Sequence, residues 1–491
     1  MPPNRQANNY SRKASPKKNG TFCHPERSEG SASHDTPRTF LFVFAEKRLP
    51  SFTHALTTND DSRHRDIWRR SASNAGESPI LELPTRFRAL KHRNFQLFII
   101  GQLVSLIGTW MQNTAQQWLV YRLTHSVVLL GIFGFASQVP MLFLAWMGGY
   151  VGDRYNRHRG VITTQTLSMV LAFVLAALTL THVVNKWHLI IIAFFVGIVN
   201  AFDVPIRQSF FVHMVGQEDL PNAIALNSSI FNGARVVGPA LGGFTVLLVG
   251  EGWCFFLNGL SFVAVIVALL SMRIPREEKK LSQESPIRSF MQGLRFALND
   301  LPIRSALLLL SMLSLFGLQY SVFLPVYAHD ILHGGVETQG LLMSAAGIGA
   351  LLGALQFAAR THYRGLARVI AATCTTCAGA LIVFSQARVF WLCAAVLFVM
   401  GFAATSQMAA TNTILQVRVP DAMRSRLMAV YATMFMGVQP IGALIAGGVA
   451  KHLGTPDTML LLGLVVLSGS LAFIALVALR TKKSDQAPAL T

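Results

Sequence analysis

The sequence predicts an all-α membrane protein, with twelve transmembrane helices arranged in two six-helix bundles. Three observations predict this: a shortage of charge, a series of long apolar runs, and glycines that recur at the same offset in both halves. Hydrophobic residues make up 52% of the 491 residues and charged residues 13%, whereas ordinary globular domains carry roughly a quarter charged residues. This composition excludes a soluble surface of normal polarity, a disordered chain and a coiled coil.

The first segment, residues 1–84, differs from everything after it. It is rich in Ser, Asn, Pro and charged residues and shows no sustained helical or strand period. We expect a disordered polar leader, or a start assigned too far upstream. Activity is expected to survive truncation near Leu83.

Twelve apolar runs follow, each long enough to cross roughly 30 Å of hydrocarbon as a helix. They must be helical because backbone polar groups find no water in lipid. The predicted spans are 94–120, 127–151, 161–182, 188–212, 224–249, 253–272, 304–328, 338–359, 367–386, 390–414, 426–450 and 458–479.

The orientation follows from the distribution of Lys and Arg. Basic residues are frequent in the loops on the side of the amino terminus, whereas the opposite loops carry Arg122, Lys186, Arg388 and Lys451. The positive-inside rule therefore places both termini in the cytoplasm, with the chain passing many times through a bacterial inner membrane.

A long polar segment, residues 273–303, divides the spans into two sets of six, at 85–272 and 304–480, and a short tail, 481–491, follows. A shift of 204 positions places Gly233, Gly238 and Gly243 on Gly437, Gly442 and Gly447. Two parallel repeats of six helices resemble the major facilitator superfamily, whose substrate site lies between the halves. The alternative is a chance similarity of two glycine-rich helices.

The loop after the second span carries Gly149, Asp153, Arg154 and Arg157. It resembles the G-x-x-x-D-R-x-G-R-R loop of the same superfamily, with Asn156 at the usual glycine; Asn tolerates left-handed backbone. The resemblance implies a gate in which Asp153 pairs with Arg and accepts from helix amides. Alternatively, the basic cluster merely orients the helices.

The fifth span contains Gly233, Gly238, Pro239, Gly242 and Gly243. These residues resemble the G-x-x-x-G-P-x-x-G-G element of the antiporter branch of the superfamily. Glycines on one face let a neighbouring helix approach closely, and Pro239 bends the helix. Close packing without any meaning for antiport is the alternative.

Two further strings narrow the resemblance, Gly108–Gln112 with Gln117–Thr124 in the first span and Ala201–Gln208 in the fourth. They are similar to the enterobactin exporter group and its drug-efflux relatives, also called the transmembrane secretion effector family. This resemblance implies export of small amphiphilic compounds, siderophore-like or drug-like, by proton antiport with alternating access.

Three charged residues fall within the spans and away from their ends, Asp203, Arg207 and Arg235. Charges at membrane depth are costly and are usually paired or functional. We expect Asp203 to pair with Arg235 across two helices, with Arg207 as a competing partner at i, i+4. Asp203 is then either a proton carrier or a structural anchor.

Polar residues at membrane depth are the candidates for substrate contact, because the resemblance implies that helices 1, 4, 7 and 10 line the cavity. Interhelical hydrogen bonds are the alternative role for each. The scarcity of charge predicts a neutral cargo between walls of Phe and Met. The candidates are Gln112, Asn113, Gln116, Gln138, Gln319, Tyr320, Gln407 and Asn412.

No catalytic, metal-binding or nucleotide-binding motif occurs in a suitable loop. We therefore expect no enzyme activity, no cofactor and no nucleic-acid partner; the predicted partners are the lipid bilayer and a small molecule, and the predicted state is a monomer. The proton gradient is the expected energy source. The rival functions are a facilitator or importer of a small solute and a membrane sensor that transports nothing.

Overall fold

Twelve helices long and apolar enough to cross a membrane fill the described part of the computed structural model. The structure describes residues 85–154, 156–272, 286–360 and 365–485. The predicted leader, residues 1–84, lies outside the described residues. The spanning helices are α1 Arg93–Thr124, α2 Val127–Arg154, α3 Arg157–Leu180, α4 Lys186–Val215, α5 Leu220–Val249, α6 Glu251–Leu270, α7 Leu301–Ile331, α8 Val336–Ala358, α9 Leu366–Gln386, α10 Phe390–Arg418, α11 Met423–Leu453 and α12 Thr455–Asp485.

The number of predicted spans is confirmed, and each predicted run coincides with one observed helix. The helices extend past the apolar runs by a few residues. For example, α12 continues to Asp485, although the apolar run ends at 479. Polar residues can continue a helix beyond hydrocarbon because its backbone bonds are satisfied internally.

Polar side chains begin several of these helices. Asn185 accepts from two backbone N–H groups at the start of α4, and Asp300 accepts from Ile303 N–H at the start of α7. Asn156 caps α3 by accepting from Arg159 N–H, and its backbone is extended rather than left-handed. Asn therefore serves here as a helix cap, and left-handed tolerance is not the reason for its presence.

Two helices are interrupted near the middle of the bundle. In α7 a 3-10 turn at Gly317–Gln319 separates two α-helical parts, and a π-helical turn at Tyr327–Ile331 ends the span. In α11 a π-helical turn occupies Thr433–Gly437. Such irregular turns are common at functional sites, and both helices border the central cavity described below.

The helices of the two halves pack in the same way. In the first half α1 packs against α5, α2 against α4, and α3 against α6. Adding six to each number gives the packing of the second half, α7 with α11, α8 with α10, and α9 with α12. This correspondence is the repeat that the glycine offset predicts, and the structure has the two six-helix bundles of the major facilitator fold.

Two helix pairs join the halves, α5 with α8 and α2 with α11. In the first pair, Gly340 lies against the Pro239 carbonyl. In the second, Gly131 lies against Gly447, and a Cβ on either would be 3.0 Å from the Cα of the other. Small residues are required at both contacts because the backbones touch.

The outer surface and the linker complete the fold. Large apolar side chains such as Phe143, Leu248 and Trp391 are exposed around the bundle, as expected for a surface in contact with lipid chains. Within the predicted linker, an amphipathic helix occupies Pro286–Asn299 and packs on the start of α11. The sequence did not predict this helix.

Candidate functional site

A cavity of about 360 Å³ lies between the two halves. Helices α1, α2, α4 and α5 line it from the first half, and α7, α8 and α11 line it from the second. Its position and helix composition match the substrate site expected of two repeats that meet in the membrane. The polar residues that line it are Asn113, Gln116, Gln117, Ser137, Gln138, Asn200, Arg235, Tyr320, Ser321 and Gln439.

Four of the eight predicted cavity residues line this space: Asn113, Gln116, Gln138 and Tyr320. Helix α10 does not contribute to the cavity, contrary to the expectation from the resemblance. Contact between these four side chains and a transported compound stays a prediction.

Two of the remaining candidates hold helices together instead. Gln112 accepts a hydrogen bond of 2.7 Å from the Asn258 amide of α6. Gln319 donates to the carbonyl oxygens of Ser314, at 2.9 Å, and Gln439, at 3.3 Å. Both are buried, so each fills the interhelical role that was their alternative.

The last two candidates lie on α10, away from the cavity. Gln407 is fully buried, and neither of its side-chain polar atoms has a hydrogen-bond partner. Asn412 lines a separate pocket with Met408 and Tyr431. Their place in the structure does not support a role in lining the central cavity.

Several walls of the cavity escaped the sequence analysis, among them Trp110, Asn200 and Met343. A signal for Asn200 exists in the sequence, because Ala193, Val196 and Asn200 recur at helical spacing and share one face of α4. The expected walls of Phe form in part. Phe133 lines the cavity, whereas Phe194 and Phe195 are exposed on the outside of the bundle.

Arg235 is the cation in the wall of this cavity. It lies near the middle of α5, and its guanidinium stands 5.9 Å from the centroid of the Trp110 ring on α1. Tyr320 of α7 interacts with it from the other half. Among the described residues no carboxylate lies within 4.0 Å of Arg235 and no Asp or Glu lines the cavity.

Asp203 is paired within its own helix, and the expected pair with Arg235 was wrong. The Arg207 Nε donates to Asp203 Oδ2 at 2.9 Å. Thr164 and Gln165 of α3 both donate to the other oxygen, at 2.7 and 2.9 Å. A carboxylate with a guanidinium one turn away and two neutral donors needs no further partner on α5.

The structure describes only part of the predicted gate. Gly149, Asp153 and Arg154 belong to the last turns of α2, but their side-chain surroundings lie outside the described residues. Arg157 follows in the first turn of α3, and its side chain contacts His213 at the end of α4. The gating role of this loop stays a prediction.

The glycine motif of α5 lies at the junction of three helices. A Cβ at Gly242 would lie 2.8 Å from the Met111 backbone of α1, and one at Gly238 would lie 3.0 Å from the Ile107 carbonyl oxygen. A Cβ at Gly243 would lie 2.8 Å from Val336 O and Glu337 Cα of α8, which belongs to the other half. Gly233 has no such neighbour.

The halves meet again at the face opposite the start of α1, which we call the distal face. Tyr121 of α1 donates to the Asp330 carboxylate of α7, and His329 Nδ1 lies 2.6 Å from the other oxygen of Asp330. The His329 ring stands 5.7 Å from that of His125. These four residues, which we call the distal latch, link the ends of α1 and α7.

Known proteins resemble this chain over most of its length. It is 24% identical to the staphyloferrin A transporter of Staphylococcus aureus, covering 77% of this chain and 94% of the relative. It is 24% identical to the multidrug efflux pump Tap of Mycolicibacterium fortuitum, with 78% and 96% covered. The enterobactin exporter EntS of Citrobacter koseri is 22% identical, with 73% and 85% covered.

Solved structures share the fold. The nucleoside transporter NupG superposes with a TM-score of 0.62 at 14% identity, covering 78% of this chain and 98% of that one. A D-xylose-proton symporter superposes with a TM-score of 0.59 at 13% identity, covering 78% and 96%. The family model described as transmembrane secretion effector matches residues 84–491. The chain therefore belongs to the transmembrane secretion effector family, a group of membrane transporters of the major facilitator fold.

Proposed function

We propose that the protein exports a small amphiphilic compound from the cytoplasm by proton antiport, with the two bundles rocking about the central cavity. The observation that carries the proposal is the cavity itself, which is polar in part, lies at membrane depth and is lined by residues of both halves. The named relatives include a multidrug efflux pump and an enterobactin exporter, which supports export over uptake.

Contacts between the halves close the distal side of the cavity. Contacts between the halves extend along the distal parts of α5 with α8 and α2 with α11, and the distal latch joins α1 to α7. The positive-inside rule assigns the distal face to the periplasm. The end of the cavity at which the halves touch then faces the periplasm, and this conformation is compatible with loading from the cytoplasm.

Asp203 is better suited to anchoring than to carrying a proton. Both of its oxygens are already engaged, one by the Arg207 guanidinium and the other by two neutral donors. An acid that couples transport must instead be accessible to protons and must lie where the two halves separate. Asp330 meets this requirement because it is about half exposed at the distal face and holds Tyr121 across the halves.

Protonation of Asp330 from the periplasm would weaken its charge-assisted bond to Tyr121 and favour opening of the distal face. Protonation at this face alone moves no charge across the membrane, so the about 2.3 kcal/mol that a charge releases on crossing 100 mV requires the proton to continue to the cytoplasm. Asp330→Asn is expected to flatten the pH dependence of transport. Asp203→Asn is the control, and it is expected to leave that pH dependence unchanged.

The experiment is flux through purified protein in proteoliposomes, with fluorescent drug-like compounds as cargo. Movement that follows an imposed pH gradient supports antiport. Equilibration without any gradient would replace the proposal with a facilitator or importer. If no compound of a broad panel moves while the protein remains folded, the sensor is the better interpretation.

A further inference from the structure

We propose that Arg235 is a binding site for a negatively charged group of the cargo, so that the transporter selects amphiphiles that carry a carboxylate, sulfonate or similar acid. The expectation of a neutral cargo is thereby replaced. For its biological meaning the inference rests on the proposed export function, but its test below does not require transport.

The first step concerns charge. Arg235 sits near the middle of a spanning helix, where a guanidinium is costly unless something compensates it. Asp203, the acid that was expected to compensate it, is paired with Arg207 instead. With no carboxylate lining the cavity, the described protein offers Arg235 a Trp face and a Tyr hydroxyl but no counter-charge.

The second step concerns the surrounding groups. Gln116 lines the same cavity, is buried, and has a side-chain nitrogen without a hydrogen-bond partner. A buried donor without an acceptor is rare in folded proteins. An anionic oxygen in the cavity would satisfy this donor and the guanidinium fork together, which a neutral apolar molecule would not.

The third step concerns the rest of the cargo. Trp110, Phe133 and Leu324 supply apolar wall beside the cation. A cavity with one fixed charge and several apolar surfaces suits a molecule with an acidic end and an aromatic or aliphatic body. Cargo that neutralises Arg235 also removes the penalty of closing the cavity around a bare guanidinium.

The geometry therefore makes Arg235 a specificity-determining residue. It also predicts the net charge that moves across the membrane in each transport cycle. When a monoanion leaves the cell and a proton enters, the net movement is equivalent to two positive charges entering the cell. Export of acids should consequently respond to membrane potential more strongly than export of matched neutral compounds.

The test is equilibrium binding to the full chain in nanodiscs of neutral lipid, without any gradient. The probes are matched pairs that differ only in charge, dansylglycine with dansylglycinamide and a naphthalene carboxylic acid with its carboxamide. The wild-type protein is expected to bind the acid of at least one pair about tenfold or more tightly than the amide. Arg235→Gln should remove this preference, and Arg235→Lys should keep most of it.

Two controls separate the possible failures. Arg159→Gln removes an exposed arginine outside the cavity and should leave the preference intact, whereas thermal unfolding checks that each variant is folded. If no pair shows an acid preference, or if the preference survives in folded Arg235→Gln, the inference is overturned. An acid preference that depends on Arg235, in a protein that moves no cargo in proteoliposomes, would support this site and contradict the proposed function.

Discussion

The two halves share their helix packing but place different chemistry at the centre of equivalent helices. The offset of 204 residues that relates the glycines of α5 and α11 also carries Asp203 of α4 to Gln407 of α10, and Arg207 to Thr411. Asp203 is fully provided with partners. The Gln407 amide and the Thr411 hydroxyl are buried without any.

This difference shows what a duplicated membrane fold preserves. Close helix contacts require small residues at fixed places, so Gly238 and Gly442 recur and touch α1 and α7 respectively. The polar positions in the core are under no such constraint. A charge pair is kept in the first half, whereas the second half retains polar residues that the surrounding protein does not satisfy.

The largest expected effect is that of breaking the charged pair. Asp203→Leu leaves Arg207 as an uncompensated charge in a largely buried site, and loss of about 3–5 kcal/mol of stability is expected. The double variant Asp203→Leu with Arg207→Met should recover most of that loss, because an apolar pair needs no counter-charge. Unfolding in detergent by urea or heat measures both.

If the single and double variants are equally unstable, the network acts through Thr164 and Gln165 rather than through the ion pair. If neither variant loses stability, the contrast between α4 and α10 has no energetic content. Arg159→Gln, which removes an exposed charge near the start of α3, serves as the matched control for a change in net charge.

The next effect concerns the glycines that the two halves share. Gly238→Ala and Gly442→Ala should each cost about 1–3 kcal/mol through overpacking, since the new methyl groups meet α1 and α7. Gly233→Ala is the matched control, because nothing lies within 4 Å of a Cβ at that position. Thermal stability and flux measured on the three variants separate close packing from a general intolerance of the glycine motif to change.

A loss of transport in Gly233→Ala with normal stability would contradict this interpretation. The motif would then act through backbone flexibility or a contact in another state of the cycle. Equal tolerance of all three substitutions would instead show that the helices move apart at little cost.

A smaller effect of opposite sign is expected in α10. Gln407→Leu replaces a buried amide without partners by an apolar side chain of similar size, so stability should be unchanged or raised by about 1 kcal/mol. Unfolding midpoints of the wild type and the variant measure it, with Thr411→Val as a second, nearly isosteric change. A clear loss of stability in both would show that these groups have a partner, such as buried water, in the folded protein.

The fold was predictable from the sequence because its signals are local. Each span is indicated by its own apolar run, and the repeat is indicated by glycines at a constant offset. The cavity was predictable only in part, because Gln112 and Gln116 are the same residue type one turn apart on α1. One pairs with Asn258 of α6 and the other lines the cavity. Only the position of the neighbouring helix separates them.

The smallest expected effect concerns the polar edge of the first half. Asp219, just before α5, accepts from His92 at 2.9 Å and pairs with Arg88 at 3.4 Å. The hydrogen bond from His92, followed by the nearby charges of Arg88, His92 and Lys91, lowers the pKa of Asp219 below its usual value of 3.8. A lowered pKa means that these contacts stabilise the fold above that value.

This stabilisation is lost as the pH falls through the lowered pKa. Unfolding temperatures from neutral pH down to the acid limit of the detergent-solubilised protein should therefore decline slightly less in Asp219→Asn than in the wild type. The difference should be close to the limit of measurement, because Arg88 and His92 are exposed to solvent and such pairs contribute little. If Asp219→Asn lost as much stability as Asp203→Leu, the edge of the first half, and not its centre, would hold the bundle together.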